Sequence, residues 1–463
     1  MTAPSPQSLV EHALATSVAD DCIAIVRSSS SANLRWANNT LTTNGAMHGT
    51  AVTVISFVRR ADGTAVGSVT GSATSPDRVS ALVEAADAAA RAGSVSEDVA
   101  DLVAGDESAD WHEEPGSTSI AVYERFAPAL GDAFAKAESE SRILYGFVNH
   151  EVATTYLGSS TGLRLRHEQP TGHYGCTGKT TDLTQSAWVG GATRDFEDVD
   201  AARMDATLAQ RLAWGTRRVD LPAGRYDTIL PPTAVADLMI DAYWGAGARV
   251  AHEGQSVFSK RGGGTRIGEQ IVKAGVDLFS DPAYPALGCA PFALATSSGN
   301  VSSVFDNGLP LQRTSWIRDG RLASLIQTRH SAGLTEQPVT PGIDNLILSV
   351  DGASGDEMDL VAGTERGLLL TCLWYIREVD PQSMLLTGLT RDGVYLVENG
   401  EITGAVNNFR FNESPIDLLN RFTHASSTVP SFSREWGDDY FSRTATPALR
   451  VPDFNMSSVS QAL

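Results

Sequence analysis

Apolar positions recur most densely between Gly367 and Val406, GLLLTCLWYIREVDPQSMLLTGLTRDGVYLVENGEITGAV. Polar turns divide the stretch into three strand-like runs: Leu368 to Ile376, a short run through Leu385, and Val394 to Val397. Glu398-Asn399-Gly400 supplies Asn and Gly where a tight turn needs positive φ, and Ile402 resumes the strand, so Val394 to Val406 is a hairpin candidate. In the first run both alternating faces are apolar, with Leu368, Leu370, Cys372, Trp374 and Ile376 on one and Leu369, Leu373 and Tyr375 on the other. That is the pattern of a strand covered on both sides, which places Trp374 and Tyr375 in a core and makes Cys372 a buried thiol.

From the N-terminus, Pro6 to Thr16 has the period of a short amphipathic helix, followed by extended segments at Cys22 to Ser28, Asn33 to Leu41, Thr50 to Val58 and Thr64 to Thr70. Ser75-Pro76-Asp77 starts a helix that runs to Ala92, with Pro at its first position. Ser94 to Thr118 then carries eight acidic residues and no Lys or Arg, the composition of a solvated linker. Beyond it, Ile120 to Glu138 is helical by period, Arg142 to Val148, Val152 to Leu157 and Leu163 to His167 read as strands, and Phe196 to Arg217 as a long helix. Leu221-Pro222-Ala223-Gly224 marks a boundary, Tyr226 to Leu230 a strand, and Thr233 to Ala246 a helix closed by Gly245 or Gly247. The remainder is strand and turn. The expected class is α+β: an N-terminal α/β unit of antiparallel strands and helices over 1–112, a middle α+β domain over 113–217, and a large mainly-β C-terminal domain over 218–463.

A length of 463 residues suits several domains, and 42% hydrophobic residues suffice to fill them. The net charge of −20 argues against direct nucleic-acid binding, which needs a Lys/Arg-rich face to displace counterions. No basic leader precedes an apolar run at the N-terminus, and no run approaches the ~20 apolar residues that span a bilayer. A cytoplasmic location without membrane contact is expected. Cys22, Cys176, Cys289 and Cys372 form no CxxC and are read as buried thiols in a reducing compartment.

Three His-Glu pairs, His112-Glu113, His167-Glu168 and His252-Glu253, invite a zinc-peptidase reading. A zinc helix needs a second His about one turn later, so that two imidazoles converge on the ion while the Glu polarises its water. None of the three supplies it: an acidic run follows His112, Pro170 interrupts any helix between His167 and His173, and Ser256 and Val257 stand where a partner for His252 would fall. Gly254 to Phe258 lacks the closing Gly of a nucleophile elbow, and Gly178-Lys179-Thr180 lacks the first Gly of a P-loop, that position being His173. Arg261-Gly262-Gly263-Gly264-Thr265 is read as a surface loop, and His330 and His424 as ordinary polar residues. Glu378, Asp380, Arg391 and Asp392 are read as lining a cavity or pairing with one another.

LWYIREVDP followed by TGLTRDGVYLVENGEITGAV resembles the C-terminal signature of the TldD/TldE (PmbA) family of metallopeptidase-related proteins, and WANNTLTT more weakly resembles its N-terminal domain. The TldD branch carries HExxxH on the helix that here spans Thr233 to Ala246, upstream of a landmark matching Ser256-Val257-Phe258-Ser259. By that resemblance the ligand positions hold Met239 and Trp244 and the catalytic Glu position holds Ile240; no His lies between His173 and His252, so no shift of register restores one. The TldD branch also places a ligand Cys near its C-terminus, where the last fifty residues here contain none. The resemblance therefore implies a TldE-like chain with no catalytic or metal-binding residues of its own and no cofactor. It implies a TldD-like zinc peptidase subunit as partner, unfolded peptide as substrate, and a family link to DNA gyrase modulation. His252, Glu253, Asp380, Arg391 and Asp392 are its candidate cavity or interface residues. The alternatives are a peptidase with scattered ligands such as His252, Glu253 and His330, or a non-enzymatic peptide-binding adaptor.

Overall fold

The computed structural model describes residues 4–437 and 443–461. Helix α1 spans Pro6–Thr16, with Ser5 Oγ accepting from Ser8 N as its cap and Pro6 at the first position. Strands β1 (Asp21–Ala37), β2 (Thr40–Arg60) and β3 (Gly63–Ser72) follow, then α2 (Pro76–Ala92), capped by Ser75. Next come α3 (Phe126–Ser139), β4 (Arg142–Ser159), β5 (Arg164–Thr180), β6 (Ser186–Thr193) and α4 (Ala201–Trp214). The strands form one antiparallel sheet in the order β3-β2-β1-β4-β5-β6.

Strands expected in short pieces are continuous. The segments 22–28 and 33–41 fall largely within β1, and 142–148 and 152–157 join in β4. Their polar middles, SSSS and NHE, look like turns in sequence, yet ladder pairing on both sides carries them through as strand. Because β1 pairs β2 along one edge and β4 along the other, the sheet runs across the boundary placed near residue 112.

Ser94 to Thr118 is not a free linker. Trp111 is buried against α1 and β4, edge-on to Tyr156 at 5.6 Å. Gln7 Nε2 donates to the carbonyls of Trp111 and Glu113, both at 3.0 Å, and Arg166 draws in Asp110 at 3.3 Å and Glu113 at 3.7 Å. One tryptophan and one buried arginine outweigh the self-repulsion of the run, so the segment lies as a strap across the sheet.

All four helices pack on one face of this sheet, where Ala24, Val26, Leu34, Trp36, Leu144, Val148 and Tyr156 point. The opposite face turns toward the C-terminal part. There Ile23, Ile25, Ile55, Phe57 and Leu157 bury against Val304 and Phe305.

The C-terminal part holds a second six-stranded sheet and a mixed ten-stranded sheet. Helix α5 (Pro232–Trp244) contributes to the core they share. The hairpin forms as expected from Val394–Glu398 and Glu401–Val406, with Asn399 at φ 53° and Gly400 at φ 82°. A side chain at 400 would also meet the Ala362 carbonyl oxygen at 2.7 Å, so both conformation and space require glycine there.

The run 368–376 departs from expectation. It breaks into Arg366–Leu370, buried between Gly224–Leu230 and Val394–Glu398, and Leu373–Asp380, at an edge of the ten-stranded sheet beside Leu385–Thr390. Cys372 is buried as expected, but Trp374 is half-buried, and Tyr375 is 54% exposed at φ 51°. A register shift after Trp374 swings the edge strand outward, which alternation in the sequence does not reveal.

Candidate functional site

Helix α5 starts at Pro231-Pro232 and is apolar nearly all round, as a helix covered on every side must be. Met239 and Ile240 are fully buried, and Trp244, 39% exposed, packs edge-on to Trp436 at 4.7 Å. The polar residues on the helix are Asp237 and Asp241, one turn apart, together with Thr233. Asp237 Oδ1 accepts from Ser433 Oγ at 2.8 Å and Glu435 N at 3.0 Å, and Asp241 Oδ2 accepts from Trp436 Nε1 at 3.2 Å. Burial pushes the carboxyl of Asp237 up to about 7 and that of Asp241 up to about 8. Burial likewise raises Glu435, whose carboxylate caps the edge strand by accepting from Ile376 N at 3.0 Å. The two aspartates therefore tether the segment Ser433–Gly437 to α5.

Met239 and Ile240 are packing atoms and Trp244 has no lone pair for a metal, so zinc does not fit this helix. Glu253 is exposed and held by Arg249 at 3.1 Å, in turn paired with Glu97, while His252 is exposed at the end of the short helix Ala248–His252. His330 sits on the neighbouring helix Arg329–Thr335. Among the described residues no group of three or more His, Cys, Asp or Glu side chains is spaced to hold a metal ion.

Asp380 accepts from Ser383 Oγ at 2.5 Å, and Gln382 reaches the Gly254 carbonyl at 3.4 Å, so that turn meets the turn after His252. Arg391 lies 3.9 Å from Asp392. Asp392 accepts from Ser186 Oγ on β6 at 2.6 Å and from Arg434 at 3.5 Å, joining the two halves of the chain. Arg434 is stacked between Trp374 at 4.2 Å and Trp188 at 5.0 Å and donates to Cys372 Sγ at 2.6 Å. The five expected cavity or interface residues are thus divided between the turn contact near Gly254 and this junction.

Two open spaces lie elsewhere, between the first sheet and the C-terminal part. One cavity of about 650 Å³ is floored by Ile25, Arg27, Thr53, Glu151, Ala153, Thr155, His167, Gln169, Thr171 and His173 and bounded by Leu294, Asp344 and Arg443. A second, of about 900 Å³, shares His167, Gln169, Thr171 and Arg443 and extends past Tyr174, Trp188, Gly190 and Phe432. Ladder pairs Thr155 with His167, Ala153 with Gln169, Glu151 with Thr171 and Asn149 with His173 put these side chains on one face of β4 and β5. A sheet face turned toward the protein interior yet carrying Thr, Gln and His is a lined, wet surface rather than a core. His167 bonds Gln169 at 3.1 Å, and burial, with Arg443 nearby, lowers its pKa and keeps the imidazole neutral. His173 stacks on Phe432 at 5.9 Å. The sequence signal of this face is the period-two run His167, Gln169, Thr171, His173, which continues the strand expected over Leu163 to His167.

The family model "PmbA/TldA metallopeptidase C-terminal domain" matches residues 223–458. The chain belongs to the PmbA/TldD family. The PmbA/TldD fold extends over the whole molecule. TldE from Thermococcus kodakarensis is similar at a TM-score of 0.73 and 15% identity, over 97% of this chain and 99% of that one. A putative modulator of DNA gyrase from Bacteroides thetaiotaomicron is similar at 0.75 and 15%, over 98% of both chains. Another from Thermotoga maritima is similar at 0.73 and 17%, over 94% of this chain and 95% of that one. No curated protein matches the chain in sequence.

Proposed function

We propose that this PmbA/TldD-family chain is the metal-free subunit of a two-chain zinc peptidase, pairing with a relative that carries HExxxH on the counterpart of α5 and enclosing with it a space for unfolded peptides. The observation that carries this reading is the filling of the ligand slot: Met239 and Ile240 are committed to the core and Trp244 to Trp436. A helix so packed has exchanged a water-polarising site for an apolar surface that stabilises the fold. The wet cleft supports a role in holding substrate, since two adjoining cavities reach the size range of small-molecule and peptide sites. The chain alone is expected to neither bind stoichiometric zinc nor cleave an unstructured peptide. Co-expression with an HExxxH-bearing relative tests this: joint purification with peptidase activity supports it, and separate elution of two independently active or inactive chains refutes it.

A further inference from the structure

The point where the two cavities meet carries an arginine, Arg443, that makes no ion pair among the described residues. Arg443 Nε donates to the Asp344 carbonyl at 3.0 Å and Nη1 to Thr171 Oγ1 at 3.3 Å. Both acceptors are neutral, and they hold the side chain between the sheet and the C-terminal part while leaving the other guanidinium donors to the cleft. Among the described residues no carboxylate lies within ion-pair distance of it, in a chain of net charge −20. Arg27, on the floor of the smaller cavity, is already matched with Glu151 at 2.5 Å, and in the larger cavity, which Arg194 also lines, Arg211 donates to the Trp188 carbonyl at 2.5 Å. A half-buried guanidinium bonded to neutral acceptors among the described residues is poised to receive an anion, and its planar fork suits a carboxylate.

The surroundings narrow that anion. The floor beside Arg443 is Thr171, Gln169 and neutral His167, which offer hydrogen bonds to amides and little added positive charge for a phosphate. The larger cavity beyond it has an apolar wall at Tyr284, Leu287 and Phe432, suited to side chains preceding a carboxylate, and carboxylates at Glu168, Asp198 and Glu357 that offset Arg194 and Arg211. We propose that this cleft binds a peptide in extended form with a carboxylate seated on Arg443 and the adjoining residues laid along β5 into the larger cavity. The inference rests on the reading of the chain as a peptide-handling subunit and assigns the site to this chain's own residues.

The test is binding to the isolated chain, followed by fluorescence anisotropy of a labelled unstructured decapeptide. Three forms are compared: free acid, C-terminal amide, and amide with one internal Glu. The free acid is expected to bind about tenfold or more tighter than the plain amide. Arg443→Gln should reduce the free acid to the level of the amide and leave the amide unchanged; Arg443→Lys, keeping charge but losing the fork, should fall between. Recovery of tight binding by the internal Glu identifies a side-chain carboxylate as a source; its failure identifies the terminus. Equal affinity of acid and plain amide, or undiminished preference in a normally melting Arg443→Gln chain, overturns the proposal. Because this assay contains no partner, it is independent of the co-expression experiment: carboxylate selectivity here, beside a relative whose hydrolysis there does not depend on this chain, would leave this site standing and sink the subunit reading instead.

Discussion

Asp237 and Asp241 show how far a fold can move single groups. Their carboxyls, ordinarily near 3.8, titrate at about 7 and about 8 because burial penalises the charged form. Such a group binds more protons folded than unfolded between the two values, so its contribution to stability is intact below about pH 4 and is lost as the pH rises through the folded value. The chain should therefore lose stability from about pH 4 to about pH 8 through this pair. Asp241→Asn keeps an acceptor for Trp436 Nε1 and cannot ionise; it should flatten that slope and stabilise the protein at high pH by on the order of 1–2 kcal/mol. Denaturant unfolding at both ends of the range reads this directly, and an unchanged slope would exclude the pair as its cause. Trp374 is a platform for Arg434 rather than a core residue, so Trp374→Ala should cost about 1–3 kcal/mol, less than a buried tryptophan would. A loss well above that range in a melt would restore the core assignment.

Among the elements, those legible in sequence are the ones with local punctuation. Ser5-Pro6 and Ser75-Pro76 start α1 and α2 where expected, and Asn399-Gly400 fixes the hairpin. What was not legible depends on partners distant in sequence: the polar middles of β1 and β4 become strand because both neighbours pair with them, and the edge strand Leu373–Asp380 turns Tyr375 outward through a shift in its ladder with Leu385–Thr390. The acidic strap is the sharpest case, since charge composition says linker while Trp111 and Arg166 say otherwise. Limited proteolysis should spare residues 94–118 in the native chain. Trp111→Ala should cost about 3–5 kcal/mol and make the strap the first site cut. Early cleavage there in the unaltered protein would contradict the packing.

At the scale of the whole molecule, one sheet carries helices on its outer face and turns toward the C-terminal part an inner face that is apolar around Ile23, Ile55 and Phe57 and polar along β4 and β5. The α+β class was legible in the helical and strand periods along the chain, and the family in the resemblance of LWYIREVDP and TGLTRDGVYLVENGEITGAV to its C-terminal signature. The cleft was not, because β4 and β5 are joined there by β1 and β2 and walled by Leu294, Asp344 and Arg443, all far from them in sequence. No helix among the described residues is long and apolar enough to cross a membrane. The central claim is that hydrolysis needs this chain but the zinc belongs to another. It is tested most directly by titrating this chain into a fixed amount of an HExxxH-bearing relative while measuring peptide cleavage and zinc content. The account predicts that cleavage rises to a break at about one chain per partner, with about one zinc per pair, all held by the partner's three-ligand site. Full activity of the partner without this chain, or stoichiometric zinc and peptidase activity in this chain alone, would contradict it.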